Sequence, residues 1–176
     1  TAVEPTLSGL EEDLPRTMVF IRRREHHADA LRPLCRVLDT LSQQRAADAF
    51  VTVHSLQSHI CDALTSLLPR RPNLWDISPL PHGAYVRELS RARLVVTDSA
   101  GTAREALLMG RPLILIGAYS ETESLRALAQ ELHRSYTVAP MEQGGLESAM
   151  TTALDGPVPE PTPSLSPSDG DERACK

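Results

Sequence analysis

Residues 94–116 constrain the fold of this chain more than any other segment. A short apolar run at 94–97 leads into small polar residues, which are followed by a helical pattern, a Gly-Arg-Pro break and a second apolar run. This order predicts a strand, a tight turn, a helix and another strand. Ser99 and Gly101 stand where the predicted helix begins. Backbone N–H groups and the helix dipole make such a turn suitable for a phosphate group.

The same alternation of apolar runs and helical patterns continues along the chain. Strands are predicted at residues 16–21, 49–53, 73–77, 94–97, 113–116 and 136–138. Helices are predicted at residues 29–46, 58–68, 83–92, 100–109, 122–133 and 146–154. Strands that alternate with helices over short loops indicate a parallel sheet covered on both faces. The expected fold class is therefore α/β, with a Rossmann-like parallel sheet and helices on both faces.

Length and composition predict one domain with irregular ends. The 176 residues are enough to bury a core, and 41% of them are hydrophobic. Residues 1–15 contain two prolines and four acidic residues, which is typical of a linker. Residues 16–155 form the predicted domain. Proline, serine, aspartate and glycine dominate residues 156–176, so we expect a disordered tail there.

Charge and cysteine content narrow the range of partners. The net charge of −5 argues against nucleic acid and against an anionic membrane surface as partners. No apolar run approaches the roughly 20 residues of a membrane span. Cys35, Cys61 and Cys175 are odd in number and contain no CxxC pair, which indicates a reducing, cytoplasmic location. The histidines lack the spacing of a metal site, and the sequence predicts neither a metal nor a cofactor.

Ligands of parallel α/β sheets bind in the crevice outside the carboxyl ends of the strands. Five polar segments follow predicted strands and should converge there. They occupy residues 22–25, 54–55, 78–82, 98–102 and 117–121. A crevice built from these segments is the expected ligand site.

The order and composition of these segments match those of a known family. The matching residues are Arg22-Arg23-Arg24-Glu25-His26, Val53-His54, Pro79-Leu80, Thr97-Asp98-Ser99-Ala100-Gly101 with Arg104-Glu105-Ala106, Met109-Gly110-Arg111-Pro112, and Ser120-Glu121-Thr122-Glu123. In this order they resemble the C-terminal domain of the non-hydrolysing UDP-N-acetylglucosamine 2-epimerases. The resemblance extends from residue 16 to about residue 140.

The resemblance implies one half of a glycosyltransferase-B-like, two-domain architecture, in which UDP binds between the domains. Members of the family eliminate UDP to form a glycal and add it back after inversion at C2. Most of their acid/base carboxylates come from the N-terminal domain. The resemblance therefore implies that this chain is the half that binds UDP or a UDP-N-acetylhexosamine. Whether the parent protein has an N-terminal domain, and whether it forms a homodimer, stays open at this point.

Three residues of the 98–105 segment are candidate ligands for the nucleotide. Ser99 and Gly101 resemble the family's diphosphate-binding turn, although Ser99 can also act only as a helix cap. Glu105 matches the family glutamate that accepts hydrogen bonds from the ribose hydroxyls. A helix that begins at Thr102 would instead place Glu105 in a capping box. A helix that begins at Ser99 would let Glu105 face the crevice.

Other candidates depart from the family pattern. Arg22 replaces a family histidine, and arginine cannot exchange protons near neutral pH, although it can bind phosphate. Thr122 stands where the family has an arginine that contacts the phosphates. His54 matches a family histidine that is as well suited to a structural role as to a ligand. Glu121 retains part of the last turn, and Asp98 is expected to hold its loop through side-chain-to-backbone bonds.

Three functions are compatible with these residues. The first is the nucleotide-binding half of a UDP-N-acetylglucosamine 2-epimerase, a sugar-nucleotide isomerase. The second is a non-catalytic remnant that keeps the fold as an interaction module, which the changes at Arg22 and Thr122 favour. The third is the nucleotide-binding half of a glycosyltransferase.

Overall fold

A computed structural model of the chain describes residues 14–22, 28–54, 58–117 and 122–160. Strands and helices alternate throughout these residues. The strands are β1 (Arg16–Ile21), β2 (Ala49–His54), β3 (Leu74–Ile77), β4 (Ala92–Thr97), β5 (Leu113–Ile116) and β6 (Thr137–Ala139). The helices are α1 (Ala28–Gln44), α2 (Ser58–Leu67), α3 (His82–Arg91), α4 (Ala100–Leu108), α5 (Glu123–Glu131) and α6 (Gln143–Asp155).

The six strands form one parallel sheet in the order β3-β2-β1-β4-β5-β6. The chain moves outward from β1 to β3 and then returns to the other side of β1 with β4. The order therefore reverses between β1 and β4, and a crevice opens at such a switch point. Phe20 pairs with Thr97 across this junction, so β1 and β4 end at nearly the same level. The predicted Rossmann-like parallel sheet is confirmed.

Three helices cover each face of the sheet. Side chains of a strand point alternately to opposite faces, and β1 is buried on both. Val19 and Ile21 pack with the core under α1, α2 and α6. Met18 and Phe20 pack with the core under α3, α4 and α5. Both faces are thus closed to water, which explains the continuous apolar runs of the central strands.

Several element boundaries differ from the predicted ones. Helix α6 begins at Gln143 rather than at residue 146, because Gly144 and Gly145 are accommodated in its first turn. Glycine has a low helix propensity, but packing of the buried face that begins with Leu146 anchors the whole helix. Strand β4 begins at Ala92, two residues earlier than predicted, since α3 ends at Arg91.

Helix α4 ends at the predicted Gly-Arg-Pro break. Gly110 has a φ of 68°, the left-handed conformation that glycine adopts at low cost. Its N–H donates to the carbonyl of Leu107 at 3.1 Å, and the Arg111 N–H donates to that of Ala106 at 2.9 Å. These two bonds form a Schellman motif, which directs the chain into β5.

No helix in the part of the chain that the structure describes is long and apolar enough to span a membrane.

Candidate functional site

A cavity of about 370 Å³ lies at the switch point between β1 and β4. Its lining comes from the loops after these strands, from the segment before α3, from the first turn of α3 and from the first two turns of α4. The lining residues are Arg22, Leu80, His82, Tyr85, Ser99, Gly101, Thr102 and Glu105. Four predicted site residues, Arg22, Ser99, Gly101 and Glu105, are therefore brought together in one crevice. Its volume is within the range of small-molecule sites.

Hydrogen bonds fix the two loops that form the crevice. The Thr97 hydroxyl donates to the carbonyl of Phe20 at 3.0 Å and accepts from the Ser99 N–H at 3.1 Å. The Asp98 carboxylate accepts from the Arg22 N–H at 2.9 Å, and Asp98 is only 1% exposed. Asp98 thus makes a side-chain-to-backbone bond, as predicted, but with the neighbouring strand's loop rather than within its own loop. The bond therefore sets the distance between the Arg22 backbone and the turn.

The turn after β4 ends in a helix N-terminus. Ser99 is the N-cap, and its hydroxyl accepts from the Thr102 N–H at 3.5 Å. The first N–H groups of a helix have no partner within the helix. Those of Ala100 and Gly101 make no hydrogen bond to the described residues, and Gly101 lines the crevice. The dipole of α4 adds positive potential there.

Gly101 is not required by the backbone itself. A Cβ at this position would meet only the Ser99 hydroxyl, at 3.7 Å, an ordinary contact. Its φ lies outside the left-handed region that favours glycine. The missing side chain instead leaves room for a ligand to approach the backbone closely.

The start of α4 decides the position of Glu105. Because the helix begins at Ala100 and Ser99 is its N-cap, Thr102 is not an N-cap and no capping box forms. The capping alternative for Glu105 is therefore wrong. Glu105 lies one turn further along, lines the cavity and accepts a hydrogen bond from the Tyr85 hydroxyl through Oε2.

The aromatic ring that lines the crevice beside Arg22 belongs to Tyr85. Its ring meets Phe20 edge to face at a centroid distance of 5.3 Å and lies 6.4 Å from the His82 ring. The Arg22 guanidinium lies over it, 5.8 Å from the ring centroid, within cation–π range. One turn later, Glu88 forms a buried ion pair with Arg16 at 2.5 Å, which ties α3 to β1.

The environment of Tyr85 keeps its hydroxyl protonated. Burial is the main cause that raises the pKa of Tyr85 to about 12, and the hydrogen bond to Glu105 raises it further. The Thr102 hydroxyl and the Arg22 charge act in the opposite direction. The phenol is therefore a permanent hydrogen-bond donor to Glu105 at physiological pH.

His54 ends β2, one strand away from the switch point, and does not line the cavity. It is 6% exposed, and its Nε2 lies 3.6 Å from the Asp76 carboxylate on β3. Asp76 also accepts a hydrogen bond from the Thr52 hydroxyl at 2.8 Å. Burial raises the pKa of Asp76, whereas the Thr52 bond and the His54 charge lower it. The structure thus places His54 in a polar cluster at the outer strands.

Thr122 caps α5, since its hydroxyl accepts from the Leu125 N–H at 3.3 Å. Glu121 lies outside the described residues, as do Arg23, Arg24 and Glu25.

Leu80, His82 and Thr102 also line the cavity, and they belong to the segments at 78–82 and 98–102 that were predicted to converge there. Tyr85 is the lining residue that the sequence analysis missed. The helical spacing of Tyr85 and Leu89 is typical of two core residues, and both are buried. The overlooked signal is the Tyr85 hydroxyl, because a buried tyrosine O–H needs a hydrogen-bond partner. Tyr85 lies in the first turn of α3, which follows the carboxyl end of β3. The partner of its hydroxyl is therefore expected in the crevice.

A metal centre has no support among residues 14–22, 28–54, 58–117 and 122–160. No three histidine, cysteine, aspartate or glutamate side chains in these ranges are grouped so that they could hold an ion.

The strand order and the switch-point crevice are those of a Rossmann-like α/β domain, a class in which ligands bind outside the carboxyl ends of the strands. The family model described as UDP-N-acetylglucosamine 2-epimerase matches residues 5–152. The chain belongs to the UDP-N-acetylglucosamine 2-epimerase family.

Individual relatives agree with this membership. The chain is 27% identical over 100 residues to a probable UDP-N-acetylglucosamine 2-epimerase of Ralstonia solanacearum, which covers 56% of this chain and 26% of the relative. It is similar in fold to the UDP-GlcNAc 2-epimerase of Neisseria meningitidis bound to UDP-GlcNAc, with a TM-score of 0.74, 17% identity, and coverage of 85% of this chain and 39% of that one.

A glycosyltransferase shares the same fold. The spinosyn rhamnosyltransferase SpnG, complexed with spinosyn aglycone, superposes with a TM-score of 0.60 and 15% identity, over 88% of this chain and 41% of that one. The chain thus spans about a quarter of the curated relative and about two fifths of the solved structures.

Proposed function

We propose that this chain is the UDP-binding part of a UDP-N-acetylglucosamine 2-epimerase. One observation carries the proposal: the switch-point cavity joins a cation, a helix N-terminus and a carboxylate in a single crevice. These are the groups that recognise a nucleoside diphosphate. The ligand is UDP or a UDP-N-acetylhexosamine, and family membership supports this choice.

Each part of the nucleotide has a partner of matching chemistry. The diphosphate binds at Ser99 and Gly101, where N–H groups and the α4 dipole attract an anion. Arg22 supplies the positive charge, since its guanidinium is exposed and has no carboxylate partner among the described residues. Glu105 accepts from the ribose hydroxyls, because a carboxylate offers only acceptors to a diol.

Addition of UDP to the chain tests the proposal directly. Free ligand at 100 times its Kd stabilises a protein by about 2.7 kcal/mol, which raises Tm measurably. We expect a Tm increase that saturates with UDP in a thermal unfolding experiment. An unchanged Tm at millimolar UDP would refute the proposal for this chain.

Two variants assign the binding groups. Arg22→Ala should weaken UDP binding by about tenfold to a hundredfold, the range for a charge-assisted bond. Glu105→Gln should weaken it by about tenfold, because one acceptor oxygen becomes a donor amide. The matched controls are Arg36→Ala and Glu131→Gln, at exposed positions outside the cavity. Calorimetry should give the unaltered Kd for both controls.

A second candidate function is a non-catalytic module that keeps the fold. Thr122 favours it, because this residue caps α5 and supplies no charge where the resembled family has an arginine. Arg22, which replaces a family histidine, cannot move a proton near neutral pH. Both candidates predict that the chain alone will not interconvert UDP-N-acetylglucosamine and UDP-N-acetylmannosamine. UDP binding separates them, since only the epimerase part retains it.

A further inference from the structure

We propose that Tyr85 is a positioning residue that orients Glu105 for a ribose diol, and that through it the site discriminates UDP from its 2′-deoxy analogue. This inference rests on the proposed function. It assigns a role to a residue that is not itself proposed to bind the diphosphate or the ribose. It is carried by the hydrogen bond from the Tyr85 hydroxyl to Glu105 Oε2.

The geometry around Tyr85 leaves its ring little freedom. Phe20 packs against it edge to face on the sheet side, and the Arg22 guanidinium covers it on the crevice side. The ion pair between Glu88 and Arg16 anchors α3 one turn further on. Tyr85 itself is 8% exposed, so its hydroxyl points from a fixed ring.

Glu105 lacks comparable support. It is half-buried on α4, and the phenol is its hydrogen-bond partner among the described residues. A free glutamate in a helix samples several rotamers, and a ligand must then offset the loss of that entropy. The bond from Tyr85 fixes the carboxylate before the ligand arrives. The gain is therefore one of preorganisation rather than of direct contact.

The bond from Tyr85 does not use up the acceptor capacity of Glu105. An ionised carboxylate has about four lone-pair sites, and the phenol takes one of them at Oε2. Oε1 and the second site on Oε2 stay available for two neighbouring hydroxyls. A 2′-deoxyribose offers one hydroxyl fewer at the ring, so an oriented carboxylate loses one bond with it. A carboxylate free to rotate gains less from the 2′-hydroxyl in the first place.

Tyr85→Phe isolates this role, because it removes the hydroxyl and keeps the ring that packs on Phe20 and under Arg22. We expect the unaltered chain to bind UDP about tenfold more tightly than 2′-deoxy-UDP, as one charge-assisted hydrogen bond implies. In Tyr85→Phe this ratio of the two Kd values should fall to about two, with UDP weakened and 2′-deoxy-UDP little changed. Tyr136→Phe, the same chemical change outside the cavity, should keep the ratio.

The ratio of the two Kd values, measured by calorimetry, is insensitive to a general loss of stability, since such a loss weakens both ligands equally. A Tyr85→Phe variant with an unaltered ratio overturns the positioning role and leaves the proposed function intact. Tighter UDP binding by Tyr85→Phe also overturns it, because the phenol would then be a competitor for Glu105. If the unaltered chain binds neither nucleotide, the proposed function and this inference are both refuted.

Discussion

The Arg22 N–H donates a hydrogen bond to the Asp98 carboxylate at 2.9 Å, and these two residues are 76 positions apart in the chain. The bond joins the loop after β1 to the loop after β4 at the point where the strand order reverses. It therefore holds the backbone of Arg22, whose guanidinium is the proposed phosphate-binding cation, next to the turn that leads into α4.

Asp98→Ala should destabilise the chain by about 1–3 kcal/mol. This is the cost of leaving the Arg22 N–H without its acceptor and of losing the contacts of the buried Asp98 side chain. Asp98→Asn keeps an acceptor oxygen and should cost less. Urea unfolding monitored by circular dichroism measures both. Asp62→Ala, at an exposed position on α2, is the control and should change the free energy of unfolding by less than about 0.5 kcal/mol. Equal losses in the alanine and asparagine variants at position 98 would contradict this account.

Gly101→Ala should leave the fold intact and weaken UDP binding. The added Cβ makes only an ordinary contact with the Ser99 hydroxyl, and alanine favours a helix over glycine. The methyl group nevertheless occupies the space where the diphosphate would approach the backbone. Gly144→Ala is the matched control, because Gly144 lies in the first turn of α6 with open space around it. Equal UDP affinity in the two variants would show that no ligand approaches Gly101.

Stability should fall above pH 10 because of Tyr85. The phenol has a pKa near 10 when exposed and about 12 in the folded chain, so between these values the unfolded chain loses the proton first. Tyr85 thus contributes stability below pH 10 that is lost as the pH rises toward 12. The loss should reach about 1 kcal/mol at pH 11. Urea titrations at pH 9 and pH 11 should show a smaller decrease for Tyr85→Phe, and parallel decreases would contradict the shifted pKa.

Gly110→Ala should destabilise the chain by more than Gly117→Ala does. Both glycines have positive φ, 68° and 78°, and an alanine there costs about 1–2 kcal/mol. At Gly110 the new Cβ would also lie 2.9 Å from the Arg134 guanidinium. This guanidinium donates to the carbonyls of Leu107 and Leu108 at the end of α4. Denaturant unfolding compares the two variants, and an equal cost would show that Arg134 moves aside freely.

Local patterns were enough to predict most of the secondary structure. Apolar runs of four residues, such as Met18–Ile21 in β1 and Leu113–Ile116 in β5, are buried on both faces, so their pattern is continuous and easy to recognise. The predicted start of a helix was wrong where packing outweighs low helix propensity, as at Gly144 and Gly145 in α6. The sequence left two positions open for Glu105, because Ser99 and Thr102 are both good N-cap residues and each implies a different start for the helix.

The parallel α/β class and the turn that contains Ser99 and Gly101 could be predicted from the sequence, because both follow from local periodicity and from residues adjacent in the chain. Which turns share a crevice depends on how distant elements pack together. The reversal of strand order places Arg22 beside Ser99, and it leaves His54 one strand away with Asp76. Tyr85 meets Glu105 because α3 and α4 pack on the same face of the sheet. Such contacts depend on the packing of distant elements, which no local pattern encodes.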